Sequence, residues 1–233
     1  MQITEAILLA GGEGTRLQSA VPHLPKCLAP INRRAFIDYV ILHLQAQGIE
    51  KFIFAISTKT VQVQAYLNQH WPKLDKEFAI EKKPLGTGGA IKNAASFSAQ
   101  SNVLIVNGDT LFKFDLPPAS SFHEHVTAEC TVLLKPLANF NRFGTVEVNE
   151  QMHVTGFAEK QPSKKGLINA GAYLLDLQQW QPGNWPNAFS FEEEYLQQQY
   201  KMGKIFGQVQ DRYFIDIGIR EDFEKAQIES INW

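Results

Sequence analysis

The sequence predicts an α/β fold in which a mixed, mainly parallel sheet is flanked by helices. Short apolar runs alternate with amphipathic stretches along the 233 residues, which is the pattern of parallel strands connected by helices. The runs 6–9, 52–56 and 103–106 are continuously apolar, as are strands buried on both faces of a sheet. The stretch 36–47 carries apolar residues at helical spacing, and Gly48 ends it.

The second half of the chain has a less regular pattern. The segments 128–135, 144–148 and 153–158 look like strands of a mixed sheet. We find no internal repeat, no membrane-spanning run and no linker rich in Gly, Pro or Ser. We therefore expect a single domain over residues 1–233.

Composition restricts the partners of the chain. A formal net charge of −2 and an isoelectric point near 6.3 do not supply the basic field that holds nucleic acid or anionic membranes. We therefore expect no nucleic-acid partner and no membrane insertion. Cys27 and Cys130 are too few for a disulfide framework, and no apolar leader follows Met1. These features predict a cytoplasmic protein, in which Cys27, without a neighbouring His, is not a nucleophile.

The first strand runs into a glycine-rich loop. Gly11, Gly12 and Gly14 follow it, and glycine lets backbone N–H groups approach phosphate oxygens closely. Arg16 and Lys26 then add two cations that suit a polyphosphate. The residue types and their spacing exclude a Walker A loop and a dinucleotide-binding fingerprint. The loop predicts a nucleoside triphosphate site, although the glycines alone leave open an ordinary turn with two surface cations.

Two aspartates follow or lie within apolar runs. Asp109 comes just after the run 103–106, at the edge of the sheet where ligands of open α/β sheets bind. Asp216 is embedded in an apolar segment, where a carboxylate needs a partner. Mg²⁺ favours one or two carboxylates together with substrate phosphates, so the pair suits this ion. Taken singly, each aspartate could instead serve a turn or a helix cap.

Other conspicuous residues have simpler interpretations. We expect His123 and His125 to be a surface pair near a helix end, since an isolated His-x-His seldom binds a metal. Trp180 and Trp185 are expected in a loop packed on the core. The acidic run 192–194 is expected to form a solvated helix face.

A series of motifs runs through nearly the whole chain. They occupy residues 8–30, 83–90, 107–109, 142–145, 157–160, 168–171 and 214–218. In this order they resemble the signature of the sugar-phosphate nucleotidyltransferases, which make nucleotide sugars from a nucleoside triphosphate and a sugar 1-phosphate. The resemblance implies a Rossmann-like, nucleotide-diphospho-sugar transferase fold. It assigns nucleotide binding to about residues 1–115 and sugar-phosphate binding to about residues 116–233.

The same resemblance implies roles for individual residues. The cations implied in catalysis are Arg16, Lys26 and Lys160. The implied nucleotide-binding residues are Leu9, Gly11, Gly12, Gly14, Thr15, Glu81, Gly86 and Gly88. The implied sugar-phosphate-binding residues are Gly144, Glu159, Lys160 and Asn169. The implied Mg²⁺ ligands are Asp109 and Asp216.

Two positions depart from the family pattern. Lys83 stands where many relatives have an acid, which puts the identity of the base in doubt. Gln161 replaces the usual proline after Glu159 and Lys160, which leaves both charges in place. Independently of the resemblance, Asn169 lies in an apolar strand, where its amide needs hydrogen-bond partners that a sugar could offer.

The resemblance implies that the chain joins a sugar 1-phosphate to a nucleoside triphosphate and releases pyrophosphate. The motifs look most like those of D-glycero-D-manno-heptose 1-phosphate guanylyltransferases, which implies GTP, that heptose phosphate and a role in bacterial surface glycans. A uridylyltransferase acting on N-acetylmuramate or hexose 1-phosphate, and a mannose 1-phosphate guanylyltransferase, remain open. So does a non-catalytic subunit that senses nucleotide sugars. The sequence allows either a monomer or a homodimer.

Overall fold

The computed structural model describes residues 2–12, 17, 21–22, 24–57 and 60–233. Its strands are β1 (Glu5–Leu9), β2 (Pro30–Ile31), β3 (Arg34–Ala35), β4 (Lys51–Ser57), β5 (Asp75–Glu81), β6 (Asn102–Asn107), β7 (Thr110–Phe112), β8 (Cys130–Phe140), β9 (Val146–Val148), β10 (Val154–Phe157), β11 (Ser163–Asp176), β12 (Ile205–Val209) and β13 (Phe214–Asp216).

Seven α-helical segments connect these strands within the described residues. They are α1 (Phe36–Ala46), α2 (Val61–His70), α3 (Gly86–Ala95), α4 (Leu116–His125), α5 (Leu177–Trp180), α6 (Gln197–Gln199) and α7 (Arg220–Glu229). A π-helical segment, Phe191–Leu196, leads into α6. Short 3₁₀ turns are formed by Lys26–Leu28, Pro182–Asn184, Tyr200–Met202 and Ser230–Asn232. No helix in this described part has the length and apolar character needed to cross a bilayer.

The predicted mixed, mainly parallel sheet is confirmed. Seven strands lie in the order β12-β8-β11-β6-β1-β4-β5. Strands β6, β1, β4 and β5 run parallel to one another, and β12 runs parallel to β8. Strand β11 runs antiparallel to both of its neighbours, β6 and β8. The first half of the chain therefore builds the parallel part, and β8, β11 and β12 of the second half add the mixed part. The expectation that the segments 144–148 and 153–158 join this sheet is wrong, because β9 and β10 form a separate antiparallel pair.

Two hydrophobic clusters cover the two faces of the sheet. In β1, Ala6 and Leu8 pack in the cluster that contains α1 and α2, whereas Ile7 packs in the cluster that contains α3. All three residues are fully buried, as expected of a strand covered on both faces.

Trp180 and Trp185 pack on the core as expected, since Trp180 is buried and Trp185 is half-buried in the second cluster. The expectation that both lie in a loop is wrong for Trp180, which is the last residue of α5.

A short antiparallel pair brings the end of the chain back to the centre of the sheet. Strand β7 follows β6 and pairs with β13, with Thr110 opposite Asp216. The Ile217 N–H also donates to the Asp109 carbonyl at 3.1 Å. The two aspartates singled out in the sequence are therefore brought together by backbone pairing.

His123 corrects one expectation. His125 is exposed, but His123 is buried, so the two do not form a surface pair. The His123 Nδ1 lies 2.8 Å from Thr131 Oγ1, and its Nε2 lies 3.0 Å from Asn102 Oδ1. Because these partners lie on the neighbouring strands β8 and β6 and not on the helix itself, the pattern of α4 around His123 did not reveal the buried network.

We expect His123 to make folding stability depend on pH. Burial lowers the pKa of this imidazole to about 4, whereas the unfolded chain binds the proton near pH 6.5. The free energy of unfolding should therefore fall as the pH drops through this window, by up to about 3 kcal/mol. Urea unfolding between pH 7 and 4 measures it. His123→Gln should remove this part of the pH dependence, and His125→Gln on the same helix should retain it.

Thr127 offers a second stability test. Its φ of 50° lies in the left-handed region, which β-branched residues rarely adopt, and its side chain is exposed. Thr127→Gly removes the Cβ and should raise the free energy of unfolding by about 1 kcal/mol. Urea unfolding measures this change. Thr127→Ala, which keeps a Cβ, is the control, and equal stability of the two variants would contradict the expected relief of strain.

Candidate active site

Two adjoining pockets open at the carboxyl ends of β1 and β6. Leu9 of β1 pairs with Asn107 of β6, and the Gly108 N–H donates to the Leu9 carbonyl at 3.0 Å. The smaller pocket has a volume of about 380 Å³ and the larger one about 870 Å³. Asn107, Asp109 and Glu192 line both. The pockets thus meet at the sheet edge where open α/β folds bind ligands.

The smaller pocket is formed by the ends of β1, β4 and β5 and by the start of α3. Its apolar walls include Ala55, Ile56, Ala79, Pro84 and Ala90. Three of these five side chains are alanines, which take up little of the space. Five of the expected nucleotide-binding residues line this one pocket, namely Leu9, Gly11, Gly12, Glu81 and Gly86.

Glu81 places a hydrogen-bond acceptor at the end of β5. Its Oε2 accepts the Leu85 N–H at 3.2 Å, and burial raises the pKa of the carboxyl above its usual range. An ionised carboxylate only accepts hydrogen bonds, so Glu81 is suited to a ligand that offers N–H donors.

The glycines at the start of α3 serve helix packing. Gly86 has a φ of +70°, and a Cβ there would lie 2.4 Å from the Phe189 carbonyl oxygen. Gly88 donates its N–H to the same carbonyl at 3.0 Å, and a Cβ on it would meet the Phe189 ring at 2.2 Å. Gly88 is not among the residues that line either pocket. The structure therefore gives Gly88 a packing role, and its assigned nucleotide contact stays a prediction.

A compact charge cluster lies where the two pockets meet. Lys26 Nζ donates to Asp109 Oδ2 at 2.5 Å and lies 3.9 Å from Asp216 Oδ1. The three side chains are 13%, 31% and 24% exposed, so each is partly shielded from water. Lys26 begins a 3₁₀ turn whose next residue, Cys27, is buried. Burial raises the pKa of the Cys27 thiol to about 12, which supports the expectation that it is not a nucleophile.

The two carboxylates fit a divalent cation. Burial, and next the charge of Asp109, raise the pKa of Asp216, while Lys26, the Gly218 N–H and Arg142 oppose this. A cation between two like charges relieves their repulsion, and two carboxylates plus phosphate oxygens form a donor set that Mg²⁺ favours. Within the described residues, no group of three or more His, Cys, Asp or Glu side chains could hold a metal ion. Phosphate oxygens of a substrate would therefore have to complete the ligand set.

The larger pocket contains all the residues that the sequence assigned to the sugar phosphate. Gly144, Glu159, Lys160 and Asn169 line it, and Glu159 and Lys160 are exposed. A Cβ on Gly144 would lie 2.4 Å from the Ala158 carbonyl oxygen, so only glycine allows this loop to approach the 158–160 segment.

Asn169 finds partners within the protein. Its Nδ2 donates to Tyr173 Oη at 2.8 Å, and its Oδ1 accepts the Gly171 N–H at 3.0 Å. The register of β11 against β8 shifts between Asn169 and Tyr173, and Gly171 has a φ of +69°. This irregularity of the strand fixes the amide, so its need for partners does not by itself require a sugar.

Glu192 was missed in the sequence. We expected residues 192–194 to form a solvated face, but Glu192 is half-buried and lines both pockets. Its Oε2 accepts the Thr87 hydroxyl at 2.7 Å, and its Oε1 accepts the Tyr173 hydroxyl at 3.2 Å. A π-helical segment carries it, a feature that often occurs at functional sites. The three consecutive acids carry no signal that separates Glu192 from its neighbours.

Three expected site residues, Gly14, Thr15 and Arg16, lie outside the described residues. Their assigned roles stay predictions.

Comparisons with known proteins agree with the motifs. A family model described as nucleotidyl transferase matches residues 5–230. A D-glycero-alpha-D-manno-heptose 1-phosphate guanylyltransferase of Aneurinibacillus thermoaerophilus is 40% identical over 225 residues, which cover 97% of each chain. The enzyme of the same name from Campylobacter jejuni is 41% identical over 219 residues, which cover 94% of this chain and 96% of that one.

Solved structures show the same similarity. The crystal structure of HddC from Yersinia pseudotuberculosis has a TM-score of 0.88 and 31% sequence identity. The alignment covers 98% of this chain and 100% of that one. A second structure of HddC, in complex with GMP-PN, gives the same values. The expected nucleotide-diphospho-sugar transferase fold and the resemblance to its family are confirmed.

Gly218 provides a test of the charge cluster. A Cβ there would lie 2.5 Å from Asp216 Oδ1 and 2.9 Å from Lys26 Nζ, so Gly218→Ala must displace charged groups. Because both carboxylates are needed in place, we expect Mn²⁺ affinity, followed by electron paramagnetic resonance, to fall about tenfold or more. Gly183→Ala, where a Cβ meets nothing within 4 Å, is the control. Unchanged Mn²⁺ binding in a folded Gly218→Ala protein would contradict the assigned metal site.

Proposed function

The chain belongs to the nucleotidyl transferase family, and from this premise we propose that it is a sugar 1-phosphate guanylyltransferase. It joins GTP to D-glycero-D-manno-heptose 1-phosphate, forming the GDP-sugar and releasing pyrophosphate. The observation that carries this proposal is the pair of adjoining pockets, which share Asp109 and meet beside Lys26 and Asp216. The two substrate sites then lie on opposite sides of one cation and two carboxylates.

The shapes of the pockets support this division of substrates. The smaller pocket, with its small apolar walls, suits the nucleoside, and the larger one suits the sugar phosphate. The α-phosphate of GTP then lies near the shared wall, within reach of the Lys26 ammonium.

The reaction needs no protein nucleophile. A phosphate oxygen of the sugar 1-phosphate attacks the α-phosphorus of GTP, the bond to the bridging oxygen breaks, and pyrophosphate leaves with the electron pair. Positioning and charge stabilisation then account for catalysis. Lys26 neutralises charge at the α-phosphate, while Lys160 holds the attacking phosphate. Arg16 would add further positive charge at the triphosphate.

We propose Mg²⁺ as the metal, held by Asp109 and Asp216. When bound, it supplies neutralisation of the triphosphate charge and orientation of its oxygens. The carboxyl of Asp216 has a raised pKa because of burial and the neighbouring Asp109 charge, which is the electrostatic situation that a divalent cation relieves.

The choice of guanine rests on the relatives and on Glu81. Guanine presents two neighbouring N–H donors, N1 and N2, and a carboxylate can accept both, whereas uracil presents one such donor on that edge. The choice of heptose rests on the two relatives that are 40% and 41% identical over nearly their whole length.

A substrate panel tests the proposal. GTP, UTP, dTTP, CTP and ATP are each combined with heptose, mannose, glucose and N-acetylmuramate 1-phosphates in the presence of Mg²⁺, and pyrophosphate release is measured. We expect the highest kcat/KM for GTP with D-glycero-D-manno-heptose 1-phosphate. Preference for another pair would change the substrate assignment, and no turnover with any pair would favour a non-catalytic nucleotide-sugar sensor.

The metal role predicts the effect of one further substitution. Asp109→Asn should lower kcat/KM on the order of 100-fold or more, because the metal supplies several kcal/mol of charge stabilisation. Asp211→Asn is the control, since this exposed carboxylate pairs with Lys135 outside the pockets. Wild-type turnover by a folded Asp109→Asn protein would rule out the metal role of Asp109.

A further inference from the structure

Arg142 is a third cation that lines the larger pocket. Its side chain is 28% exposed and lines that pocket together with Lys26 and Lys160. Its Nη1 forms an ion pair with Asp222 in the first turn of α7. Its Nη2 lies 3.8 Å from Asp216 Oδ1. The guanidinium therefore has its Nη2 next to the charge cluster, while Asp222 holds its Nη1.

Part of the guanidinium remains available to a ligand. The 3.8 Å contact between Nη2 and Asp216 Oδ1 is longer than a hydrogen bond, so it does not use the donors of Nη2. Arginine has five N–H donors in a rigid planar fork, which matches the oxygens of a phosphate group. The ion pair with Asp222 uses only the Nη1 side.

The position of Arg142 is fixed before any ligand binds. Its Cζ lies 5.4 Å from the centre of the Phe143 ring, and that ring packs edge-on against Phe214 of β13 at 5.6 Å. Asp222 holds the other end of the fork. A donor that is already in place costs less conformational entropy when it binds its ligand.

The charges of the larger pocket create a need for this donor. Five carboxylates line the pocket, and they repel a phosphate: Asp109, Glu159, Glu192, Glu193 and Asp216. Lys26 pairs with Asp109 at 2.5 Å and is the cation proposed for the α-phosphate of GTP. Of the cations that the structure describes in this pocket, Arg142 and Lys160 therefore remain to receive a phosphate monoester.

We propose that Arg142 binds the phosphate of the sugar 1-phosphate through its Nη2 side, and that Asp222 is the positioning residue that aims it. This assignment rests on the proposed function. It gives the enzyme a way to distinguish a sugar phosphate from a free sugar. Asp222 itself does not line the pocket and acts only through Arg142.

The alternative is an ion pair that merely fastens α7 to the 141–145 loop. In that case substitution would lower thermal stability without changing the KM for either substrate. A KM change confined to the sugar phosphate separates the two roles.

The experiment compares Arg142→Gln, Arg142→Lys and Asp222→Asn with the wild type. Steady-state kinetics give the KM for D-glycero-D-manno-heptose 1-phosphate at saturating GTP, and the KM for GTP at saturating heptose phosphate. Thermal unfolding confirms that each variant is folded. Arg212→Gln is the matched control, because Arg212 also pairs with an aspartate, Asp115, but is exposed and lies outside the pockets.

We expect Arg142→Gln to raise the KM for heptose 1-phosphate about tenfold to a hundredfold, as for loss of a hydrogen bond between charged groups, with the KM for GTP unchanged. Arg142→Lys keeps the charge without the fork and should fall between Arg142→Gln and the wild type. Asp222→Asn should raise the same KM to a smaller extent. Arg212→Gln should match the wild type.

Competition by the free sugar completes the test. The wild type should bind heptose 1-phosphate far more tightly than heptose, and Arg142→Gln should lose most of this ratio. An unchanged ratio and an unchanged KM for heptose 1-phosphate, with turnover intact, would overturn the role of Arg142 and leave the proposed function standing.

Calorimetry separates failure of the proposed function from failure of this inference. If the wild type turns over no substrate pair, the function fails, and heptose 1-phosphate is titrated into the wild type and Arg142→Gln. Binding that only the wild type shows would support the phosphate contact without catalysis. Equal affinity for both, or no affinity for either, would overturn it.

Discussion

The backbone pairing of β7 with β13 is the constraint on which the candidate site depends. It places Asp216 opposite Thr110, next to Asp109, although the aspartates lie in distant parts of the chain. The two neighbouring carboxylates repel each other, and the raised pKa of Asp216 reflects burial and that repulsion. Lys26, 2.5 Å from Asp109 and 3.9 Å from Asp216, balances part of the charge.

The same cluster determines which residues can surround it. Gly218 must lack a Cβ because Asp216 and Lys26 fill the space beside it. Arg142 reaches the cluster from the 141–145 loop and is held by Asp222 of α7, so the last helix contributes to the geometry of the larger pocket. The two pockets are therefore not independent, because Asp109, which the proposed chemistry uses, lines both of them.

Glu192 shows how the second half of the chain closes on the first. It receives hydrogen bonds from Thr87 on α3 and from Tyr173 on β11, and Tyr173 also receives one from Asn169. A single carboxylate thus links the helix beside the smaller pocket to the strand beside the larger one. Phe189, just before it along the chain, accepts the Gly88 N–H, so the glycines of α3 are required by this packing. The Thr87–Glu192 and Gly88–Phe189 hydrogen bonds do not follow from local sequence, because each joins segments about 100 residues apart.

The sequence by itself determined three strands of the parallel part of the sheet, β1, β4 and β6, because continuous apolar runs such as residues 103–106 are typical of strands buried on both faces. Strand β5, whose apolar residues are only Phe78, Ala79 and Ile80, was not predicted. The sequence also determined the family, through motifs that span the chain. The tertiary structure alone decided which polar residues share a pocket. His123 is buried, Glu192 faces the site and Gly88 serves packing because of contacts with other elements of the fold. The hydrophobic pattern of a helix or strand shows whether one of its faces is buried. Which residues pack against that face depends on the order of the strands and on the connections between them.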